Sequence, residues 1–179
     1  SGNDATVAVA EHIAGSETAF ADLMNKHAAE LGMHGSYFAN SHGLPHPQHM
    51  MTARDLATLA KAIITRFPEH YKVYSQREYT YNDISEYNRN KLLGEDPSVD
   101  GLKTGYTREA GYGLVASAER NGMRLISVVM GTDSTRARAR ETRSLLNYGF
   151  RFFETDVLVT GAEELEKPRV WKGQTDYVA

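Results

Sequence analysis

Two short groups of polar residues have the side-chain types that acyl transfer requires. A Ser-Gly-Asn triplet occupies residues 1–3, and a Lys-Thr-Gly triplet occupies residues 103–105. Acyl transfer from a peptide with a free terminal carboxylate needs a nucleophile, a proton shuttle, an oxyanion hole and a cation. Lys103 supplies positive potential, and the Thr104 hydroxyl can bind the carboxylate. The two triplets therefore predict part of an acyl-transfer site.

The other residues of the two triplets suit the remaining roles. The Ser1 hydroxyl can relay a proton, and the Asn3 amide can orient the substrate and a neighbouring lysine. Gly105 has no side chain, so a substrate can lie against its strand as an added edge. The backbone N–H of Tyr106 can then point at the oxyanion. No residue of the set needs a metal or an organic cofactor.

Four longer helices are expected from apolar periodicity and capping residues. Residues 3–13 are small and apolar behind an Asn-Asp pair suited to cap a helix, which predicts a buried helix. An amphipathic helix is expected after the capping residue Ser16, and another after Thr52, where an aspartate takes the place of glutamate in a capping box. The last helix is expected over residues 134–148, closed by Gly149.

The strands are expected in the second half of the chain. Residues 113–118 and 123–130 are apolar, β-rich runs joined through an Asn-Gly pair, which is typical of a tight hairpin. The Lys-Thr-Gly triplet lies on the strand just before them. Helices, then antiparallel strands, then a closing helix predict an α+β domain. A further, partly exposed strand or hairpin is indicated by alternating aromatic residues, namely Tyr79, Tyr81 and Tyr87.

Either triplet is weak by itself, but several segments match one family in the same order. The chain resembles the low-molecular-mass D-alanyl-D-alanine carboxypeptidases, which are serine-type penicillin-binding proteins of the bacterial cell envelope. The resemblance runs from Ser1 to about Phe153. The matching segments are SGNDA (1–5), NSHGL (40–44), TARDL (52–56), NRN (88–90), VDGLKTGYT (99–107) and GFRFF (149–153).

The resemblance implies a role for each site residue. The triplet at residues 1–3 resembles the family's second motif, and the triplet at residues 103–105 resembles its third. Arg138 resembles the arginine that helps to hold the substrate carboxylate, with Arg136 and Arg140 as rivals. The family often has histidine after Lys-Thr-Gly, where this chain has Tyr106. A backbone role survives that change, whereas the pH behaviour is expected to differ.

The family's first motif, Ser-x-x-Lys, is missing, since no serine of the chain has a lysine three positions later. The resemblance places that nucleophile upstream of Ser1, so the chain is expected to be a fragment or processed product that is inactive alone. Residues 1–153 are expected to form a partial β-lactamase/transpeptidase-like domain. Residues 154–179 are expected to begin a C-terminal β-rich domain.

For the intact protein, the resemblance implies removal of the terminal D-Ala from peptidoglycan stem pentapeptides through an acyl-enzyme, with covalent inhibition by β-lactams. The implied location is the bacterial periplasm or cell envelope, with membrane contact only through a C-terminal anchor that this sequence does not include. Two alternatives remain open. One is a serine β-lactamase, which shares the motifs, and the other is a non-catalytic fragment that binds muropeptides.

Composition limits the other possibilities. The formal net charge is −3, which provides no basic footprint for nucleic acid. There is no cysteine, so disulfides, thiolate metal sites and cysteine nucleophiles are excluded. Histidines near a Pro-rich loop, His34, His42, His46 and His49, offer a metal site as a minor alternative. Loop structure is the favoured interpretation of these residues.

Overall fold

The computed structural model describes residues 2–157, 166 and 168–174, which contain six helices and five strands. The helices are α1 Asn3–Ala14, α2 Glu17–Glu30, α3 Ala53–Arg66, α4 Pro68–Tyr71, α5 Leu92–Glu95 and α6 Thr135–Phe152. The strands are β1 Glu78–Tyr81, β2 Ile84–Tyr87, β3 Val99–Thr107, β4 Gly111–Arg120 and β5 Met123–Thr132. A 3-10 turn, Lys72–Ser75, links α4 to β1. The predicted α+β class is confirmed.

Strands β3, β4 and β5 form an antiparallel sheet with β4 in the centre. Asn121 and Gly122 connect β4 to β5, and both have a positive φ, 51° and 78°. A two-residue connection with this geometry matches the twist of the flanking strands, which is why Asn-Gly is favoured there. The predicted hairpin is confirmed.

Helix α6 packs on β4 and β5 and closes the core. The core cluster consists of Leu92, Leu93, Val99, Leu114, Ala116, Ala118 and Leu146. The prediction that Gly149 ends the helix is wrong, because α6 continues to Phe152. Gly149 instead allows close approach to the sheet, since a Cβ at this position would lie 2.5 Å from Leu125 Cδ1.

A polar cluster anchors the first residues of β3. The Tyr71 hydroxyl donates to Asp100 Oδ1 at 2.8 Å, and Arg124 Nη1 donates to Asp100 Oδ2 and to Ser117 Oγ, each at 2.7 Å. Gly101 leaves room for the Tyr71 ring, because a Cβ there would lie 2.4 Å from its hydroxyl oxygen. These contacts join α4 to the start of β3, the strand that carries Lys103.

Helix α1 lies at the surface of the described chain. It packs against α2, whereas Val9 and Ile13 remain 53% and 58% exposed. Of its residues only Ala10 is buried. The prediction of a buried helix is therefore wrong for the described residues: apolar composition indicates what a helix can bury, but the packing partner is a tertiary property.

Strands β1 and β2 form a separate two-stranded antiparallel sheet, the hairpin. The predicted hairpin is confirmed, although every residue of both strands is exposed rather than packed. The cross-strand neighbours include Tyr79 with Glu86 and Glu78 with Tyr87. The tyrosines of the hairpin thus present their rings outside the core.

The prediction of a β-rich region over residues 154–179 remains a prediction, because residues 158–165, 167 and 175–179 lie outside the described residues. Within the described ranges, no helix combines the length and apolar character that crossing a membrane requires.

Candidate active site

The third motif lies on β3, which is an edge strand of the described sheet. Strand β3 pairs with β4 on one side, and its register sets Thr104 opposite Leu114 and Gly105 opposite Gly113. A Cβ at Gly105 would meet no atom within 4 Å. An extended peptide can therefore approach this strand closely and use its backbone groups, as edge addition requires.

Lys103 lies in a positive environment. Its Nζ donates to the Thr104 carbonyl oxygen at 2.6 Å. Desolvation, followed by the positive charges of Arg89 and Arg138, lowers the pKa of the Lys103 ammonium from its usual value. A lysine with a lowered pKa exchanges protons more readily near neutral pH, which suits a proton network.

Arg138 is the arginine of α6 that reaches this site. It is only 5% exposed, and its guanidinium donates to the carbonyl oxygens of Gly105 at 3.2 Å, Gly113 at 3.4 Å and Arg89 at 3.3 Å. Burial lowers the pKa of this guanidinium. Its rivals Arg136 and Arg140 are exposed, and Arg140 pairs with Glu141. The structure thus brings Arg138, and not its rivals, to the third motif.

Arg89 is a site residue that the sequence reasoning did not single out. It is exposed, and its charge acts on Lys103 more strongly than that of Arg138. The flanking asparagines hold its turn: Asn88 Oδ1 accepts from the Asn90 N–H at 2.9 Å, and Asn90 Nδ2 donates to the Gly101 carbonyl oxygen at 3.0 Å. The Asn-Arg-Asn segment at residues 88–90 is the sequence signal that could have indicated Arg89, because asparagines on both sides of a cation suggest a turn that exposes the cation.

Two adjoining cavities meet at the third motif. The larger, of about 1140 Å³, lies between β3 and the histidine loop at residues 42–49, and the smaller, of about 580 Å³, lies between β3 and the hairpin. Arg89, Lys103 and Thr104 line both. The predicted site residues that line the larger cavity are Asn3, Lys103, Thr104, Gly105, Tyr106 and Arg138.

The second motif lies at the start of α1. Asn3 is the first helical residue and Gly2 is the N-cap, so the prediction that Asn3 caps the helix is wrong. Asn3 lines the larger cavity and Gly2 lines the smaller one. Ser1 lies outside the described residues. Its predicted role as a proton relay stays a prediction. The next two residues, Gly2 and Asn3, line the cavities that meet at the third motif.

Tyr106 is exposed and stacks on its cross-strand neighbour. The ring centroids of Tyr106 and Tyr112 lie 4.2 Å apart at an interplanar angle of 29°. The guanidinium of Arg138 lies 5.8 Å from the Tyr112 centroid. Tyr106, at the position where the carboxypeptidases that the chain resembles often have histidine, thus forms a stacked aromatic pair. Its backbone remains on the edge strand β3.

The start of the long segment that leads to the histidine loop is held to α3 by buried Asp55. Its Oδ2 accepts from Ser36 Oγ at 2.7 Å and from the Gly35 N–H at 2.9 Å, and these bonds, the Ser36 one first, lower the pKa of the carboxyl. The predicted capping box is therefore only half right. Thr52 Oγ1 accepts from the Asp55 N–H, but the Asp55 carboxylate binds Gly35 and Ser36 rather than the start of its own helix.

The histidines of the loop were a minor alternative for a metal site. His42 Nε2 lies 3.3 Å from Glu17 Oε1. Among the described residues, no group of three or more side chains is placed to hold a metal ion.

Comparison with known proteins agrees with this geometry. A family model described as D-alanyl-D-alanine carboxypeptidase matches residues 1–134. The carboxypeptidase DacC of Escherichia coli is 46% identical over 179 residues, covering 99% of this chain and 45% of the relative. DacA of Haemophilus influenzae is also 46% identical, covering 99% of this chain and 46% of the relative. The chain therefore spans about half the length of these curated relatives.

Solved structures give the same result. Penicillin-binding protein 5 from Haemophilus influenzae superposes with a TM-score of 0.93 at 45% identity, covering 99% of this chain and 52% of that one. Penicillin-binding protein D2 from Listeria monocytogenes, in its ampicillin-bound form, gives a TM-score of 0.76 at 34% identity, covering 83% of this chain and 62% of that one. The α+β architecture is thus shared with penicillin-binding proteins.

Proposed function

The chain belongs to the D-alanyl-D-alanine carboxypeptidase family, and on that premise we propose that the intact protein removes the terminal D-Ala from peptidoglycan stem pentapeptides. One observation carries the proposal. Asn3, Lys103, Thr104 and Arg138 line a single cavity beside the edge of β3 that pairs with no other described strand, where an extended peptide can bind. This is the arrangement that acyl transfer from a carboxylate-terminated peptide needs.

The reaction runs through an acyl-enzyme in the intact protein. A serine that precedes Ser1 attacks the carbonyl carbon before the terminal residue, with the lysine of the same motif as the base. The bond from Oγ to carbon forms as the bond from carbon to the leaving nitrogen breaks, and the proton passes to that nitrogen through the Ser1 hydroxyl. Water then cleaves the ester, and the released oxygen takes back a proton.

The residues of this chain bind the substrate and stabilise charge. The Tyr106 N–H donates to the oxyanion, and Asn3 orients the peptide and the proton network around Lys103. Thr104 Oγ1 binds the terminal carboxylate. Arg138 is only 5% exposed and uses three of its five N–H donors on carbonyl oxygens, so it adds positive potential from a buried position. Exposed Arg89 makes the direct ionic contact.

Three further parts of the proposal follow from the same premise. The 179-residue chain alone is inactive because it has no Ser-x-x-Lys motif. The intact protein is acylated by β-lactams, whose carboxylate and strained amide resemble the substrate's terminus. Its location is the bacterial periplasm or cell envelope, where peptidoglycan stem peptides occur.

Release of D-Ala from a pentapeptide ending in D-Ala-D-Ala tests the proposal on the full-length protein. Lys103→Ala is expected to lower the rate at least about 100-fold, because a positioned proton-transfer group contributes about 100- to 10,000-fold. Lys91→Ala is the matched control, since Lys91 is exposed and lines neither cavity. Absence of D-Ala release by the unaltered protein would refute the proposal, and penicillin turnover within seconds would favour a β-lactamase.

A further inference from the structure

The turn at residues 40–44 forms part of the wall of the larger cavity, across from β3. Three of its residues, His42, Gly43 and Leu44, line that cavity. We propose that Glu17, the first residue of α2, is a positioning residue that holds this turn where a peptide bound along β3 can contact it. Glu17 itself lines neither cavity in the described structure, so it acts through the turn. The inference rests on the proposed function and adds a residue to it.

One carboxylate oxygen of Glu17 receives three contacts from the turn. Glu17 Oε1 accepts from Ser41 Oγ at 2.8 Å and from the Ser41 N–H at 3.2 Å, and His42 Nε2 lies 3.3 Å from the same oxygen. Hydrogen bonds to an ionised acceptor are stronger than those between neutral groups. The two bonds from Ser41, the side-chain one first, lower the pKa of the Glu17 carboxyl, so the carboxylate is the form that binds the turn.

The turn is also bonded within itself. Asn40 Oδ1 accepts from the Gly43 N–H at 2.7 Å, and Asn40 Nδ2 donates to the Leu44 carbonyl oxygen at 3.0 Å. Gly43 has a φ of 78°, a conformation that glycine adopts without the strain of a side chain. Because these bonds join the two ends of the turn, a contact at Ser41 also fixes the residues that line the cavity.

Both ring nitrogens of His42 are used within this wall. Nδ1 accepts from the Leu44 N–H at 3.1 Å, and a nitrogen that accepts from a backbone N–H carries no proton. The proton of the neutral ring is therefore on Nε2, which faces Glu17. His42 thus holds the wall together and has no free ring nitrogen to act as an acid or base toward the cavity.

The two walls of the larger cavity are held in different ways. Strand β3 is fixed by its pairing with β4, whereas the segment that carries the turn makes only one β-bridge in the described structure, between Tyr37 and Met50. Leu44 is 48% exposed on the cavity side of this weakly paired segment. A peptide that lies between the two walls is restrained from both sides, and loss of one restraint weakens its binding and its alignment.

The test measures kcat and KM for release of D-Ala from the pentapeptide by the full-length protein. Glu17→Ala is expected to raise KM about three- to tenfold, because one net hydrogen bond is worth roughly that factor, and to change kcat less than about twofold. Glu17→Gln keeps an oxygen that accepts from Ser41 and His42, so KM is expected to stay within about twofold of the unaltered value. A loss of folded protein would lower the apparent kcat and leave KM unchanged.

Ser41→Ala removes a donor from the other side of the same contact and is expected to raise KM in the same direction. The double variant with Glu17→Ala should be no worse than Glu17→Ala alone, since both changes break one interaction. If Glu17→Ala does not fold, Glu17→Gln and Ser41→Ala still test the inference. Asp22→Ala is the matched control, because Asp22 is an exposed acidic residue of the same helix and lines neither cavity.

The inference is overturned if Glu17→Ala or Ser41→Ala folds and leaves KM unchanged, if Glu17→Gln raises KM as much as Glu17→Ala, or if Asp22→Ala gives the same increase. Full additivity of Glu17→Ala and Ser41→Ala would also contradict it. Failure of the unaltered protein to release D-Ala would instead refute the proposed function on which the inference rests.

Discussion

The three-stranded sheet and the two-stranded hairpin are both antiparallel, yet in the described part of the chain only the sheet is covered by a helix. Leu114, Ala116 and Ala118 of β4 are buried beneath α6, whereas every residue of β1 and β2 is exposed. The two regions meet at Lys103 and Arg89, where the two cavities join. One region holds the third motif in place, and the other borders the smaller cavity.

The difference assigns separate tasks to the two regions. A catalytic group needs a fixed position, and a packed sheet edge provides it because its neighbours cannot move independently. A hairpin outside the core has little packing to lose, so its exposed side chains tolerate substitution. Substitutions in the sheet should therefore lower stability more than substitutions in the hairpin do.

Among the arginines of the site, the largest effect is expected from Arg138→Met. Removing the guanidinium leaves the carbonyl oxygens of Gly105, Gly113 and Arg89 without these donors, and a buried unsatisfied polar group costs about 1–3 kcal/mol. We expect the free energy of unfolding to fall by about 2–4 kcal/mol in denaturant titration of the full-length protein. Arg136→Met on the same helix is the control, and an equal loss there would contradict the assignment.

A smaller effect, on activity rather than stability, is expected from Arg89→Gln. Loss of a charge-assisted contact with the carboxylate should lower kcat/KM about ten- to a hundredfold. Because the positive charge of Arg89 lowers the pKa of Lys103, its removal should raise that pKa and move the alkaline limb of the pH–rate profile upward. Arg77→Gln, an exposed arginine outside both cavities, should change neither value.

The smallest effect is expected from Tyr81→Ala in the hairpin. Its ring is 66% exposed, so its removal should change the free energy of unfolding by less than about 0.5 kcal/mol. Leu114→Ala in the sheet, which removes a buried side chain, should cost about 2–5 kcal/mol in the same titration. Similar losses for the two variants would show that the hairpin is as tightly packed as the sheet.

Much of the fold could be predicted because its signals are local. Ser16 and Ser134 cap α2 and α6 through bonds to backbone N–H groups three residues later, and Asn121-Gly122 favours one kind of turn. The predictions that were wrong concern residues whose local pattern suggested a role in their own helix but which contact a distant part of the chain. Gly149 resembled a helix end but serves close packing against Leu125, and the carboxylate of Asp55 binds a loop rather than its own helix.

The sequence alone determined the family and predicted the second and third motifs, because collinear segments and residue types are properties of the chain order. It left three arginines as candidates for the cation and gave no role to Arg89. Only the tertiary structure shows which arginines lie at the third motif, since packing of α6 on the sheet brings Arg138 to the Gly105 carbonyl oxygen, and Arg89 lines the same two cavities as Lys103. The positions of both arginines depend on contacts between residues far apart in the chain, and local sequence patterns do not encode such contacts.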